Sequence, residues 1–301
     1  MLLMDAAKEF VFDCKVRKLS EATIYGYQKQ IEYLVKYIET NYSINKVEAV
    51  KSVHIKQFLL MMEERGRKPQ YINDLLKVFK VFFKYCVQEE HITSNPTAKI
   101  HNTRQPKVLI RTFSQEDIRK MLNYFQGRNY INIRNRAMLA MFFDTGMRLS
   151  EVLTLRQEQI HDDYILVHGK GNKERLVPMS PYLAKLLMQY SVVRQSYFGV
   201  HKVPQNYVFV SYSGVKLTGE AVAQYMKKAA AEVGVSKDVR VSPHTCRHTF
   251  AHLQLKNGLD LYSLSRLMGH ENISITQRYL DGIRNDEVLA AAKQTGVLAH
   301  L

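Results

Sequence analysis

Five residues between positions 148 and 279 carry side chains that together could cut a phosphodiester bond without a metal ion. Arg148 and Arg247 each offer a planar guanidinium that can hold two phosphate oxygens at once. His244 and His270 can exchange protons near neutral pH, and the phenol of Tyr279 can act as a nucleophile. Arg247 follows His244 by three residues, which places both on one face of a helix. The order and spacing of these residues predict a phosphoryl-transfer site.

His244 and a nearby histidine also allow a second interpretation, a zinc site. His244 and His248 have a spacing that suits metal binding on a helix, and Cys246 lies between them. Cys246 would point to another face of that helix, and the sequence has no second Cys/His pair of the usual spacing. Carboxylates that could hold metal ions do not cluster near the histidines either. We therefore expect no metal site.

Two further features also have ordinary alternatives. Arg148 precedes Glu151 by three residues, so the two could form an ion pair on a helix surface. Residues 169–173 read G-K-G-N-K and lack the G-K-[ST] ending of a nucleotide-binding P-loop. Nucleotide hydrolysis is therefore disfavoured, and we expect no cofactor.

These residues need a scaffold, and the hydrophobic pattern of the second half predicts a mixture of helices and a small sheet. Ser114 followed by acidic residues is typical of a helix N-cap. A glycine-containing turn at 169–172 separates two short strand-like segments, which indicates a β-hairpin. Another short strand is expected at 207–210. The predicted helices cover residues 114–125, 132–144, 149–156, 218–233, 244–257, 260–268, 272–281 and 285–295.

The first hundred residues predict helices only. Apolar residues recur at helical spacing in four segments, near 4–18, 20–38, 53–65 and 71–89. Residues 101–111 are basic, lack helical periodicity and are interpreted as an extended linker. We therefore expect a helical domain at 1–100 and a second domain at 112–301, in a fold that is mainly α with a small β-sheet.

The charge of the chain indicates an acidic polymer as partner. Its 43 lysines and arginines against 28 acidic residues give a net charge of +15, and both halves share the excess. Such an excess binds phosphates through counterion release. The three cysteines are widely spaced and indicate reduced thiols, and no apolar run is long enough to span a membrane. We expect a cytoplasmic, nucleoid-associated protein without membrane contact.

Four motifs in this order make the chain resemble a tyrosine recombinase of the phage-integrase and Xer type. They are T-G-M-R-L-S-E at 145–151, G-K-G-N-K-E-R-L-V-P at 169–178, H-T-C-R-H-T-F at 244–250 and L-M-G-H-E-N-I-S-I-T-Q-R-Y at 267–279. The resemblance covers the two-domain layout of the family from end to end. It implies an N-terminal, SAM-like core-binding domain and a catalytic domain that together form a C-shaped clamp on DNA.

The resemblance also implies a role for each site residue. Arg148 and Arg247 would hold the scissile phosphate and stabilise the pentacoordinate transition state. Tyr279 would attack the phosphorus, giving a 3′-phosphotyrosyl link and a free 5′-hydroxyl. Lys170 in the hairpin turn would protonate the leaving 5′-oxygen, with Lys173 as its rival for this role.

Three more residues would support these steps. His244 would serve in proton transfer and in positioning the phosphate, and His270 would hydrogen-bond the same phosphate. Glu151 would support the residues that bind the phosphate without contacting the phosphate itself. Because a phosphotyrosine ester retains the energy of the broken bond, rejoining needs no ATP, which suits an exchange of strands rather than degradation.

By the same resemblance, four protomers would assemble on two double-stranded DNA sites and exchange strands through a Holliday junction. The apolar segment 288–301 would dock into a neighbouring protomer, as in the family, or onto its own domain. Cys246 stands where relatives usually have leucine, and L-D-G-I-R follows Tyr279 where Xer proteins have Thr-His-Val. This departure keeps the integrase or resolvase of a mobile element open beside a Xer-like protein. The sequence identifies no accessory protein.

Two other functions stay open. A relaxase of the type IB topoisomerase kind uses the same nucleophile chemistry, but the small helical domain and the Xer-like motifs argue against it. A DNA-binding regulator with a decayed active site would also fit the charge. The presence of every expected catalytic residue argues against decay.

Overall fold

Helices make up most of the structure, a computed structural model that describes residues 1–105, 111–169, 174–199 and 206–277, together with Tyr279. The chain divides into two units, Met1–Lys107 and Val108–Leu301. Within the described ranges, the only named strands form one antiparallel pair. The predicted fold, mainly α with a small β-sheet, is confirmed. No helix of the described part is long and apolar enough to cross a membrane.

The first unit consists of four helices whose apolar faces meet in one core. They span Leu3–Val16 (α1), Glu21–Tyr42 (α2), Ser52–Glu64 (α3) and Pro69–Gln88 (α4). α4 carries a broad stripe of buried side chains at helical spacing, so it forms the centre of the bundle. Two ring pairs of this core, Phe10 with Phe82 and Phe58 with Phe79, meet edge to face, a geometry that aromatic rings favour.

The ends of these helices follow from residues that are visible in the sequence. Ser20 accepts a hydrogen bond from the backbone N–H of Thr23 and so caps α2. Pro69 occupies the first turn of α4, where its missing N–H costs no helical hydrogen bond. α3 ends two residues before Gly66, whose φ of +71° lies in the left-handed region that favours glycine.

The second unit is built around one buried helix, α6. Its elements are Gln115–Tyr124 (α5), Tyr130–Thr145 (α6), Leu149–Thr154 (α7), Tyr164–His168 (β1), Glu174–Pro178 (β2), Pro181–Phe198 (α8), Gly219–Glu232 (α9), Pro243–Lys256 (α10), Leu261–Met268 (α11) and Ile273–Gln277 (α12). α6 is buried over most of its surface and packs against α8 and α10. Close packing therefore fixes the start of α7, which follows α6, relative to α10.

The two strands form the predicted hairpin. They pair antiparallel, from Tyr164 opposite Pro178 to His168 opposite Glu174. Alternate residues of β1 are buried, as expected for a strand with one face on the core. The turn residues 170–173 lie outside the described residues, as do the predicted helix 285–295 and the segment 288–301.

Two predictions for this unit are corrected by the structure. Residues 207–210 form isolated bridges at Tyr207 and Val210 rather than a strand, because their partners Arg156 and Lys216 lie in separate loops. Helix α8, with 18 residues, is missing from the predicted set, although Ser180 caps it. Its buried side chains do recur at helical spacing: Leu183, Leu186, Leu187 and Tyr190.

Candidate active site

The start of α10 places three basic side chains at one end of a core helix. The hydroxyl of Ser242 caps the helix, and Pro243 occupies its first turn, which fixes where the helix begins. His244, Arg247 and His248 follow at positions that share one helix face. Arg247 and His248 are buried, whereas His244 is exposed.

A sharp turn between α6 and α7 brings Arg148 to the same place. Gly146 ends α6 with a φ of +60°, and a Cβ at this position would lie 2.3 Å from the ring of Phe250. Glycine therefore allows the turn to approach α10 closely. The carbonyl of Gly146 accepts a hydrogen bond from Nη1 of Arg247 at 2.7 Å. Arg148 then begins α7 as its N-cap residue.

The end of α11 holds the arginines through its backbone carbonyls. Carbonyls at the C-terminus of a helix lack partners within the helix and carry partial negative charge, so they suit guanidinium groups. Gly269 ends α11 with a φ of +64°. Three consecutive carbonyls each accept from one arginine: Leu267 O from Arg175 Nε at 2.8 Å, Met268 O from Arg247 Nη2 at 2.6 Å, and Gly269 O from Arg148 Nη2 at 3.1 Å.

Glu151 is a buried carboxylate between two of these arginines. Its Oε1 accepts from Nη1 of Arg148 and Nη1 of Arg175, both at 3.0 Å. Its Oε2 accepts from Nη2 of Arg175 at 2.7 Å and from the backbone N–H of Arg148 at 2.8 Å. Burial raises the pKa of this carboxyl, but the contacts with Arg175 and then Arg148 bring it below its usual value. Glu151 is therefore ionised at neutral pH.

The site carries an excess of positive charge. Burial lowers the pKa of Arg247 to about 10, and repulsion from Arg148 adds to this effect, yet the guanidinium stays charged at neutral pH. Arg148 and Arg175 contact the carboxylate of Glu151, and Arg247 binds the neighbouring carbonyl of Met268 at the end of α11. Such an arrangement suits the binding of a phosphate anion.

His270, which follows α11, is neutral in the protein. Burial, together with the charge of Arg247, lowers the pKa of its imidazole to about 4. Its Nε2 lies 2.9 Å from Nη2 of Arg247, and its Nδ1 lies 2.8 Å from Oγ1 of Thr276. A guanidinium can only donate, so Nε2 accepts and the ring proton is on Nδ1, which donates to Thr276.

His244 and His248 are two further neutral rings, which pair with each other. Their Nε2 atoms lie 3.0 Å apart, so one ring donates a hydrogen bond to the other. Burial, followed by repulsion from His244 when that ring is protonated, lowers the pKa of His248 to about 4. Although part of His244 is exposed, desolvation of its imidazole, followed by the charge of Arg247, also lowers its pKa. Neither ring therefore adds to the positive charge of the site at neutral pH.

Tyr279 contacts both histidine groups. The centroid of its ring lies 4.9 Å from that of His248 and 6.2 Å from that of His270, which it overlaps almost in parallel. Only 8% of the tyrosine is exposed. Its apolar neighbours belong to the same chain: Phe250, Ala251, Leu264 and Met268.

The structure brings most of the predicted site residues together. Lys170 and its rival Lys173 lie outside the described residues. Cys246 is completely buried in the core and does not join the neighbouring histidines, so the geometry gives no support to the zinc alternative. Six of the seven proposed residues lie at one place, where His248 and the last carbonyls of α11 link them: Arg148, Glu151, His244, Arg247, His270 and Tyr279.

Three further residues contact the candidate site in roles that the sequence did not predict. Thr276 accepts a hydrogen bond from Nδ1 of His270, and His248 links His244 to the tyrosine ring. Arg175 lies inside the motif at 169–178, but its partners are 24 and 92 residues away in the chain. An arginine on an otherwise alternating strand is the one local signal of such a contact.

Comparisons of sequence match this chain to a known family. The family model described as "Phage integrase family" matches residues 111–284. The tyrosine recombinase XerD of Listeria innocua is 29% identical over 278 residues, which cover 91% of this chain and 93% of that protein. XerD of Lacticaseibacillus casei is 30% identical and covers 93% of this chain and 94% of its own length. XerC of Bacillus subtilis is 29% identical, with 90% of each chain covered.

Comparisons of structure agree in fold. The XerH recombinase in a post-cleavage complex with its palindromic difH substrate gives a TM-score of 0.77 at 20% identity, covering 96% of this chain and 83% of that one. The Tn1549 transposon integrase in complex with a circular intermediate DNA gives 0.72 at 18% identity, covering 98% and 100%. A lambda integrase dimer bound to a core site gives 0.73 at 17% identity, covering 95% and 97%.

Proposed function

Since this chain belongs to the phage integrase family, it is a tyrosine recombinase that cuts and rejoins DNA strands, and we propose that Tyr279 is its nucleophile. One observation carries the proposal. The ring of Tyr279 contacts His248 and His270, and His270 in turn binds the buried guanidinium of Arg247. A phenol next to neutral imidazoles and a phosphate-binding arginine is equipped to lose its proton and attack.

Arg148 and Arg247 hold the scissile phosphate in this proposal. The contacts described above use two of the five N–H groups of Arg148 and three of those of Arg247. The side chain of Arg148 is 41% exposed, so a phosphate oxygen can reach it. Because backbone carbonyls already orient both guanidinium groups, the charge that develops on the pentacoordinate phosphorus is stabilised with little reorganisation.

The reaction then proceeds by in-line displacement. Oη of Tyr279 bonds to phosphorus, and the bond from phosphorus to the 5′-oxygen breaks. The phenol proton passes to His244, which is paired with His248 beside the tyrosine ring. Lys170, with Lys173 as the alternative, protonates the leaving 5′-oxygen. Attack of a 5′-hydroxyl on the phosphotyrosyl ester reverses these steps and rejoins a strand.

The first unit is proposed to bind the DNA backbone beside α4, which makes residues 1–100 the core-binding domain and 112–301 the catalytic domain. Lys77, Lys80 and Lys84 line a groove along this helix. Asn73 and Thr103 also line the groove, and the Asn73 side chain donates to Thr103 O at 2.9 Å and accepts from Thr103 N–H at 2.8 Å. Lysines in such a row bind phosphates by releasing counterions.

We further propose that four protomers act on two DNA sites, with the segment 288–301 of each docking onto a neighbour. The strand exchange would pass through a Holliday junction. The relatives include both Xer recombinases and a transposon integrase, which supports a role in either dimer resolution or the movement of a genetic element.

The nucleophile is tested with a nicked suicide substrate, whose cleavage releases a short fragment and so traps the covalent complex. The DNA site is first obtained by selecting bound sequences from a random library. Wild-type protein is expected to give a protein–DNA band on a denaturing gel, and EDTA is expected to leave that band unchanged.

The Tyr279→Phe variant is expected to bind the same DNA without forming the band. Tyr262→Phe, at an exposed tyrosine on α11, is the matched control and should retain the band. Covalent product from Tyr279→Phe would contradict the proposed nucleophile. Wild-type protein that binds its selected site yet never forms the band would favour a DNA-binding regulator.

A further inference from the structure

One charged side chain of the site, Arg175, has no part in the steps proposed above. It lies on β2, next to the hairpin turn, and its side chain is only 11% exposed. Its Nε donates to Leu267 O at 2.8 Å. Its Nη1 and Nη2 donate to the two oxygens of Glu151 at 3.0 and 2.7 Å, a bidentate pair.

These contacts make Arg175 a poor ligand for phosphate. Each of its three nitrogens already donates to an acceptor, and little of the side chain reaches solvent. Breaking a buried, bidentate pair to bind DNA would leave the carboxylate of Glu151 with one cationic partner fewer. Any effect of Arg175 on the reaction must therefore pass through the groups that it holds.

Glu151 is the group that connects Arg175 to the phosphate site. The same carboxylate accepts from Nη1 and from the backbone N–H of Arg148. Without Arg175, a buried negative charge would have Arg148 as its remaining hydrogen-bonded guanidinium and would draw that group toward both of its oxygens. The guanidinium of Arg148 would then turn away from the position where a phosphate binds.

We propose that Arg175 is a positioning residue for DNA cleavage, which holds Glu151 in place so that Arg148 presents its guanidinium to the scissile phosphate. The proposal rests on the function given above, because it requires that Arg148 binds this phosphate. The bond to Leu267 O adds a second connection. It ties β2 to the end of α11, where the next two carbonyls orient Arg247 and Arg148.

Two substitutions test the proposal in single-turnover cleavage of the suicide substrate at saturating protein. Arg175→Lys keeps the charge but loses the planar fork, and Arg175→Met keeps the approximate length but loses the charge. We expect both variants to bind DNA within about threefold of wild type and to cleave about 100-fold more slowly, since a small displacement of a positioning group has effects of this size.

The pH profile of cleavage separates a positioning role from a structural one. The charged and titratable groups near Glu151 are Arg148 and Arg175 in direct contact, with Arg247 and His270 farther away. Burial raises the pKa of Glu151, and Arg175 is the strongest opposing influence. As the pH is lowered, Glu151 of Arg175→Met is therefore expected to be protonated earlier than in wild type. The cleavage rate of this variant should begin to decrease at a higher pH. When Glu151→Gln is added to Arg175→Met, this shift disappears because glutamine does not titrate.

Arg134→Met is the matched control for the loss of a buried arginine. Arg134 is also buried, and it donates to Val210 O and to the side chain of Asn135, away from the site. This variant is expected to melt at a lower temperature while it retains the cleavage rate and the pH profile of wild type.

Three outcomes overturn the proposal. The first is a wild-type cleavage rate in folded Arg175→Met and Arg175→Lys, and the second is an unshifted pH profile in a slow Arg175→Met. The third is an equal loss of rate in Arg134→Met, which would assign the effect to general destabilisation. Failure of the proposed function is recognised separately, because the wild-type protein would then give no covalent product that depends on Tyr279.

Discussion

At the scale of single residues, the protonation state of His270 follows directly from its two hydrogen-bond partners. His270 accepts from Arg247 through Nε2 and donates to Thr276 through Nδ1, so in the free protein Nε2 has no hydrogen to offer a phosphate. A phosphate beside the ring would favour the imidazolium, which donates from both nitrogens. Binding of DNA should therefore change the protonation of His270.

The expected result is proton uptake on DNA binding. The pKa of His270 is lowered to about 4 in the free protein, and a bound phosphate raises it. At a pH between the pKa of His270 in the free protein and its pKa in the complex, the complex holds more protons than free protein and free DNA together. The affinity for DNA therefore increases as the pH is lowered through this range. Titration calorimetry at pH 5.5, in buffers of different ionisation enthalpy, measures the number of protons taken up.

His270→Asn should reduce this uptake, and His161→Asn, at a ring that stacks on Tyr164 outside the site, should not. Equal uptake by wild type and His270→Asn would show that another group gains the proton.

At the scale of elements, the C-terminus of α11 organises the site. Its last carbonyls receive Arg175, Arg247 and Arg148 in sequence order, and Gly269 allows the chain to turn there toward His270. A Cβ on Gly269 would lie 3.1 Å from Nη1 and 3.2 Å from Cδ of Arg175. The backbone of this turn and the arginine cluster are thus in direct contact.

Gly269→Ala is expected to reduce both stability and cleavage. A residue with a Cβ in the left-handed region costs about 1–2 kcal/mol of folding free energy. At this position the new methyl group would also displace Arg175, so the rate of covalent complex formation should fall. Urea denaturation and single-turnover cleavage measure the two effects.

Gly234→Ala provides the matched comparison. Gly234 has a φ of +73°, and a Cβ there would meet no atom within 4 Å. This variant should lose comparable stability and keep its cleavage rate. A cleavage defect of the same size in both variants would mean that instability alone slows the reaction.

The elements also show what the sequence could and could not predict. The caps at Ser20 and Ser114 and the hairpin are local signals, and the structure contains them. α8 has the pattern of a helix but lies between two glycine- and proline-containing segments that suggest loops, and it is missing from the prediction. The contacts of Arg175 join positions far apart in the chain, so its place on an alternating strand could indicate a buried arginine but not which partners it has. The candidate site residues were proposed because they lie in short motifs, whereas the contacts that support them were not predicted.

At the scale of the whole molecule, positive charge is spread over both units rather than collected in one tail. DNA binding should therefore depend strongly on salt, with contributions from each unit. The groove beside α4 allows this contribution to be measured separately from the chemistry, since none of its lysines belongs to the candidate active site.

Replacing Lys77, Lys80 and Lys84 by alanine is expected to weaken binding and to reduce the slope of log affinity against log salt by up to about 2.7, if all three contact phosphates. At saturating protein the cleavage rate should stay at the wild-type value. The control replaces Lys8 and Lys29, each of which pairs with a carboxylate on its own helix. An unchanged slope in the triple variant would place the DNA elsewhere on the first unit.

The packing of Tyr279 has a consequence for which subunit of an assembly supplies the nucleophile at each cleavage site. Apolar side chains and histidines of its own chain contact the tyrosine, so we predict that each subunit attacks DNA with its own phenol. A subunit that carries Tyr279→Phe should then not use the tyrosine of a neighbour. A mixture of Tyr279→Phe and Arg247→Ala should accordingly give no cleavage. When either variant is mixed with wild-type protein, cleavage should decrease in proportion to the fraction of the variant. The count of cut strands would then report how many intact subunits an assembly contains.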